Sequence, residues 1–441
     1  MSVATLIHPG APQIAFLRRA AFRGLGWSGL GQLLGLIIRL ASNLILTRLL
    51  APEDYGLLGS AMVVLTTLEW LSDLGINPAL LRHPHGDRVS FLQTGWWLGL
   101  LRGVGLTAVT ALVAVPLTLF WKQPALLPVL LALSVRPILL ALRSPGLILL
   151  RRRLQYRALF VDELAQTLVG TAVSILLAYL THSVWAMVAG TLVGALTAIL
   201  ASYCLSGMVP AFYWDRVAVR EFAGLGQQVL FNTLVMALWL NLDRLLGVRL
   251  ISLEAMGCYF IAMNLASIAE ALLSRGCEVH FSLLVRLDET ERDEHQDRIL
   301  ERITRFGLPV AALLVALAPL VCQVLYDPRY RPAGMLLAVL LARLMFRFLG
   351  QMQFQTLLAA GKVHHSTLAY GIALVVQVLT LPLLALKAGP MGLALSCLIS
   401  TATWALTQTW LIPGQGPMGT WRLLVAALYA VVAIPFAWVL R

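Results

Sequence analysis

The chain has 441 residues, 59% of them hydrophobic and only 12% charged, with a mean hydropathy of +0.82. Soluble domains carry about 25% charged residues, so a soluble enzyme or binding module is excluded and an integral membrane protein remains. The formal net charge is +12, yet no separate basic domain or arm exists to hold a nucleic acid, so none is expected as a partner.

A bilayer core about 30 Å thick needs roughly 20 apolar residues per helix. Residues 1–21 have little apolar core, and Arg18, Arg19 and Arg23 stand just before the first long apolar run. This reads as a cytoplasmic segment followed by a retained span, not as a cleavable signal. Spans are expected near 25–49, 57–81, 92–119, 125–149, 160–181, 184–206, 222–249, 256–284, 305–326, 333–360, 366–387 and 390–412, with a thirteenth apolar stretch at 421–440. The charged stretch 286–304 reads as a solvated connector or a surface helix at the headgroups.

The ends of two spans repeat. Phe22-Arg23-Gly24-Leu25-Gly26 lies over Phe222-Ala223-Gly224-Leu225-Gly226 at an offset of 200. Arg48-Leu49-Leu50-Ala51-Pro52-Glu53-Asp54-Tyr55-Gly56 lies over Arg249-Leu250-Ile251-Ser252-Leu253-Glu254-Ala255-Met256-Gly257 at 201. Six spans per half is an even number, so both halves enter from one side as parallel repeats. The expected fold is an all-α polytopic membrane protein of two pseudo-symmetric six-helix bundles, 22–206 and 222–412, around a central cavity. Residues 207–221 form a cytoplasmic linker, and 413–441 add one C-terminal span.

Alternate loops carry unequal basic charge, eighteen Lys/Arg residues on one side against seven on the other. The positive-inside rule therefore places the N-terminus in the cytoplasm. Eight arginines remain inside spans: Arg39, Arg102, Arg136, Arg143, Arg244, Arg275, Arg343 and Arg347. The acids there are Glu69, Asp73, Asp243, Glu270 and Glu278. A charge at mid-membrane costs at least ~2.5–3.5 kcal/mol, so this many charges are not carried idly. Arginine pairs bidentately with phosphate and keeps its charge at any cellular pH.

For Arg102, Arg143 and Arg275 two readings stand, cavity lining or snorkelling to headgroups. Asp243 and Arg244 lie near a helix end and read as structural. Arg39, Arg136, Arg343 and Arg347 are too deep to snorkel easily. They either line a cavity or pair with Glu69, Asp73 or Glu270, acids that also stand as candidates for ion coupling. Arg136 and Arg143 are seven apart, and Arg343 and Arg347 four apart, so each pair is expected to share a helical face. Together these arginines are the candidate site for an anionic cargo.

Other signals are weak. Gly24-x-Gly26-x-x-Gly29 formally matches a dinucleotide fingerprint, but it enters a membrane helix with no strand before it. The five cysteines sit singly in apolar runs without metal-ligand spacing, so neither metal nor cofactor is expected.

LTRLLAPEDYGLLGSAMV at 46–63 and LSDLGINPALLR at 71–82 resemble the start of the polysaccharide transport family of lipid-linked oligosaccharide flippases. The likeness continues through LILLRRRLQYRAL at 147–159, Val184-Trp185-Ala186-Met187-Val188, and LDRLLG with EAMGCYFIAMNLA within 242–266. Their superfamily also holds multidrug-cation antiporters and lipid II flippases. The resemblance implies a flippase that moves undecaprenyl-pyrophosphate-linked sugar units across the bacterial inner membrane by alternating access. It also implies membrane lipids and polysaccharide polymerase or assembly proteins as partners. Members end at twelve or fourteen spans, against thirteen expected here.

A multidrug-cation antiporter would want acids in the cavity, whereas the buried arginines outnumber the buried acids. A lipid II flippase fits the charges nearly as well. A membrane glycosyltransferase or polymerase needs a substantial soluble loop bearing acid, base or metal ligands, and the loops here are too short.

Overall fold

Apolar runs punctuated by glycine and proline fold into a succession of helices, with no strand among the described residues. The fold is that of a computed structural model, which describes residues 29, 31, 33–72, 80, 81, 86, 88–284, 289–359, 363–411 and 416–439. The Phe22–Gly26 copy of the repeat and Asp73 lie outside these residues, as do the side chains of Arg275 and Glu278.

Helix α1 covers 33–49, and α2 begins at Pro52, where a missing N–H costs nothing. Asp54 reaches back to accept a hydrogen bond from the Ala51 backbone N–H at 3.1 Å, so the turn carries its own N-terminal cap. The order continues α2 (Pro52–Leu71), α3 (Val89–Trp121), α4 (Leu126–Leu133), α5 (Arg136–Ala141), α6 (Gly146–Arg152), α7 (Tyr156–Thr181) and α8 (Trp185–Ser206). It then runs α9 (Arg216–Leu250), α10 (Leu253–Leu284), α11 (Glu289–Arg302), α12 (Leu308–Leu325), α13 (Pro332–Ala359), α14 (Val363–Trp410) and α15 (Gly416–Val439).

Among the described residues, seven helices are long and apolar enough to cross a bilayer, or eight when a bent pair counts as one span. Helix α14 has 48 residues, roughly 72 Å if straight, too long for one crossing. It breaks at Gly389, where φ is 56° and only glycine sits without strain. The break falls between the spans expected at 366–387 and 390–412.

The run 125–149 departs from expectation. It is not one straight helix but α4, α5 and α6, with a 58° bend before Gly146. Pro137 and Pro145 each remove a helical N–H, and Ser134 turns its hydroxyl back onto the Leu131 carbonyl at 2.7 Å. The face that Arg136 and Arg143 were expected to share is therefore interrupted, with Arg143 in the turn after α5.

The chain divides into two compact units. The first comprises residues 1–46, 72–113 and 130–228. In it α7 and α8 meet through small residues: a Cβ on Gly170 would stand 2.9 Å from the Gly190 carbonyl oxygen and 3.3 Å from Gly194 Cα. Such close approach supplies the van der Waals contact that holds helices together where lipid offers no hydrophobic gain. Gly207, at φ 62°, caps α8. The stretch after it is fastened to α3, because Trp97 Nε1 donates to the Ala211 carbonyl at 3.1 Å and Ala211 N donates to Gln93 Oε1 at 2.8 Å.

The second unit comprises residues 47–71, 114–129 and 229–441, and here the sequence repeat acquires a physical meaning. A Cβ on Gly56 would collide with the Leu253 carbonyl, and a Cβ on Gly257 with the Pro52 carbonyl. Position 52 corresponds to 253 and position 56 to 257, so each copy receives the other's first-turn carbonyl on its glycine. Gly59 likewise faces the ring of Phe260, its own repeat partner. This reciprocity is the mark of a two-fold contact between equivalent segments.

The same corner is clamped by the turn after α12. Tyr330 donates its hydroxyl proton to the Leu50 carbonyl at 3.0 Å, and Arg329 Nη2 donates to the Arg48 carbonyl at 3.2 Å. Arg329 also donates its backbone N–H to Asp327, at 3.0 Å, and its Nε–H, at 2.9 Å. These bonds hold the Asp327 carboxyl below the usual carboxylate range, the backbone bond foremost. Helix α13 forms the centre of the unit, packed against α10, α12 and α14. Its most apolar window is 83% buried, against 17–33% for the other spanning helices.

Gly257→Leu should lower the thermal midpoint of the detergent-solubilised protein, because overpacking a tight contact costs about 1–3 kcal/mol. Gly371→Ala, where nothing lies within 4 Å of the added Cβ, should leave the midpoint unchanged or slightly higher. Tyr330→Phe leaves the buried Leu50 carbonyl without this donor, and should lower stability by about 1 kcal/mol, read from the same melts.

Candidate functional site: a buried arginine cluster

Helix α13 places Arg343 and Arg347 one turn apart, and α10 places Glu270 between them. Arg347 is bound to Glu270 through Nε, while the Nη2 of Arg343 lies 3.8 Å from the Glu270 carboxylate. That second distance is too long for a hydrogen bond. Arg343 is only 6% exposed, and its Nε has no hydrogen-bond partner among the described residues. Glu270 is about a third exposed, at 32%. Two guanidinium cations thus share one carboxylate, and the cluster keeps one net positive charge.

An aromatic stack fixes the Arg347 side of the cluster. The guanidinium carbon of Arg347 sits 5.9 Å from the centroid of the Trp239 ring, within range of a cation–π attraction. Trp239 packs against Tyr370 and Trp404 with centroids 5.4 Å apart in each case, and Tyr370 stacks on Trp404 at 5.5 Å. Trp239, Tyr370 and Trp404 come from α9 and from the two limbs of α14.

Asp243 is almost fully buried. It accepts a 2.5 Å hydrogen bond from the Tyr259 hydroxyl, and Arg244 Nε lies 3.7 Å from its other oxygen. Arg244 Nη2 donates to the Leu240 carbonyl of its own helix at 2.6 Å. Tyr259 also meets Cys397 at 3.5 Å, and Gln377 Nε2 reaches the same sulfur at 3.6 Å. This set ties α9, α10 and α14 together and has the form of a structural brace.

In the other unit, Arg143 pairs with Asp162 through Nη2. The Arg143 carbonyl accepts from Trp96 Nε1 at 2.8 Å. Arg102 donates to the Ser72 hydroxyl at 3.0 Å. Arg39 is exposed on α1, with Nη2 lying back over Gly35 one turn earlier. Arg136 opens α5 and is half-buried, as is Glu69 near the end of α2.

Among the candidates, Arg343, Arg347 and Glu270 meet in one cluster, and Asp243 and Arg244 meet in another. Sequence reasoning passed over Asp162. Its signal lies in the buried set Asp162, Gly170, Ser174 and Ala178 on one face of α7, whereas the neighbouring Glu163 is exposed. It also passed over Trp239, Tyr370 and Trp404, which no local pattern connects. Among the described residues, no group of three or more His, Cys, Asp or Glu is placed to hold a metal ion.

Comparisons with known proteins agree with this architecture. The fold is similar to the inward closed conformation of the lipid II flippase MurJ, with a TM-score of 0.71 and 12% identity over 92% of this chain and 97% of that one. It is also similar to an inward-facing multidrug resistance MATE family transporter of the MOP superfamily, with a TM-score of 0.70 and 14% identity over 89% and 96%. At such identities the likeness is one of fold. In sequence, 249 residues are 24% identical to the succinoglycan biosynthesis transport protein ExoT of Rhizobium meliloti (strain 1021), covering 56% of this chain and 50% of the relative. Another 252-residue match is 21% identical to the lipopolysaccharide biosynthesis protein WzxC of Escherichia coli (strain K12), covering 57% and 51%. The chain thus spans about half the length of the curated relatives it matches. Residues 45–334, well over half of the chain, match the model of one family, and this multi-pass membrane protein belongs to that family, the polysaccharide biosynthesis proteins.

Proposed function

We propose that the chain is a flippase that carries undecaprenyl-pyrophosphate-linked oligosaccharide units across the bacterial inner membrane by alternating access, for surface polysaccharide synthesis. The observation that carries this reading is the excess positive charge at Arg343 and Arg347 on the most buried helix of its unit. A guanidinium fork matches phosphate oxygens, and a cation kept in a membrane protein marks a substrate path more often than a scaffold. Family membership supports the polysaccharide context, and the names of the relatives ExoT and WzxC point the same way.

In this reading Arg343 and Arg347 hold the pyrophosphate. The polyprenyl tail stays in lipid. The protein forms and breaks no covalent bond, so its work is binding and reorientation. The excess of basic residues in alternate loops supports a cytoplasmic N-terminus, on the side where lipid-linked units would be collected.

The test is transport in proteoliposomes loaded with a defined lipid-linked oligosaccharide. Arg347→Ala and Arg343→Ala should each slow translocation at least about tenfold, equivalent to ~1.4 kcal/mol, at equal protein level. Arg343→Lys keeps the charge and loses the fork, so it should fall between the wild type and Arg343→Ala. Normal translocation in both alanine variants would overturn the assignment of these arginines.

A further inference from the structure

Glu270 deserves a role beyond that of a passive counter-ion, and the reason is geometric. The forks of Arg343 and Arg347 lie one helical turn apart, a spacing of about 5–6 Å between the Cβ atoms. A carboxylate carries both of its oxygens on one carbon. It can seat itself well on one such fork and only poorly on the other, and that is the observed arrangement. Arg347 is engaged, while Arg343 is left at 3.8 Å with an unpartnered Nε. A buried guanidinium in this state is costly, and the site is short of one acceptor.

We infer that Glu270 occupies the site in place of the cargo and competes with its diphosphate for Arg343 and Arg347, so that the pair selects an anion with two phosphate centres over one with a single centre. This rests on the proposed pyrophosphate cargo and adds to it the residue that sets affinity and selectivity. The exposures agree with an exchange. Glu270 is 32% exposed and has open space to move into, whereas Arg343, at 7% for its side chain, has almost none. The charges agree as well. With Glu270 in place the cluster carries one net positive charge, enough for a singly charged anion. A diphosphate brings more negative charge than that, and neutrality is recovered when the Glu270 carboxylate withdraws. Arg347 stays aligned throughout, because its guanidinium also rests over Trp239.

The experiment measures binding of two probes, farnesyl diphosphate and farnesyl monophosphate, to the full chain in lipid nanodiscs. Wild-type protein should bind the diphosphate more tightly. Glu270→Gln removes a competing like charge within a few ångströms of the ligand and should tighten diphosphate binding about tenfold. Glu270→Asp, with a shorter reach, should fall between the two and serves as the readout where the glutamine variant does not fold. Arg347→Ala should lose most of the affinity. Equal binding by Arg347→Ala and wild type would refute the pyrophosphate reading itself. Loss of binding in Arg347→Ala, with binding no tighter in Glu270→Gln and Glu270→Asp than in wild type, would leave that reading intact. It would make Glu270 a structural brace and overturn the inference. Equal wild-type affinity for the two probes would overturn the selectivity.

Discussion

An arginine buried in a membrane protein cannot shed its charge, because its guanidinium stays protonated at any pH a cell reaches. The only way to lower its cost is to bring acceptors to it, and the helices here are arranged around that demand. Arg143 is met by Asp162 from α7 and Arg244 by Asp243 together with a carbonyl of its own turn. Arg343 and Arg347 share Glu270 from α10. The pairings made between elements, Arg143 with Asp162 and the two arginines with Glu270, fix the rotation of those helices about their axes. A lipid-facing stripe of leucines cannot do that, since lipid is as apolar as the leucines are.

Charge fixes rotation, while close approach sets distance. Helices α2 and α10 meet where Gly56 and Gly257 admit one another's first-turn carbonyls, and neither position tolerates a side chain. The turn at Asp327–Tyr330 then locks the same corner by capping carbonyls at the end of α1. Two equivalent segments therefore touch each other directly. The repeat in the sequence is a repeat because one contact has to be made from both sides. The glycines recur at the same place in both copies for that reason, whereas only one of the two acids does. Glu53 and Glu254 recur, but Asp54 corresponds to Ala255, because only the first copy uses that position as a cap.

What could be read from sequence follows the same division. Apolar run length located most helices to within a few residues, and the Gly389-Pro390 step separated the two limbs of α14, since both are consequences of local chemistry. The break in 125–149 was not legible, because Pro137 and Pro145 sit in a run apolar enough to satisfy a length criterion by itself. The arginines were visible as misplaced charge, and Glu270 as an acid within reach. Their actual convergence was not, nor was the stack of Trp239, Tyr370 and Trp404, whose members are brought together only by tertiary packing. Asp162 escaped because it lies near the start of an apolar run, where an acid looks like an interfacial residue.

The arithmetic of charge separates the buried pairs into two kinds. Arg143 with Asp162, and Arg244 with Asp243, are one cation to one anion, an arrangement neutral in charge. Replacing such a pair by well-packed apolar residues is often neutral or stabilising, so its value lies in fixing one geometry. Arg343 and Arg347 with Glu270 are two cations to one anion, on the helix whose apolar window is the most buried of the spanning helices. A structural brace gains nothing from the second cation. Its desolvation is only partly offset by Glu270 at 3.8 Å, and a leucine or glutamine at 343 would remove that cost. The surplus charge is intelligible when the missing anion arrives from outside and leaves again. On the proposed reading, a site for a charged cargo cannot be neutral both with and without it, and the imbalance stands in the state without cargo.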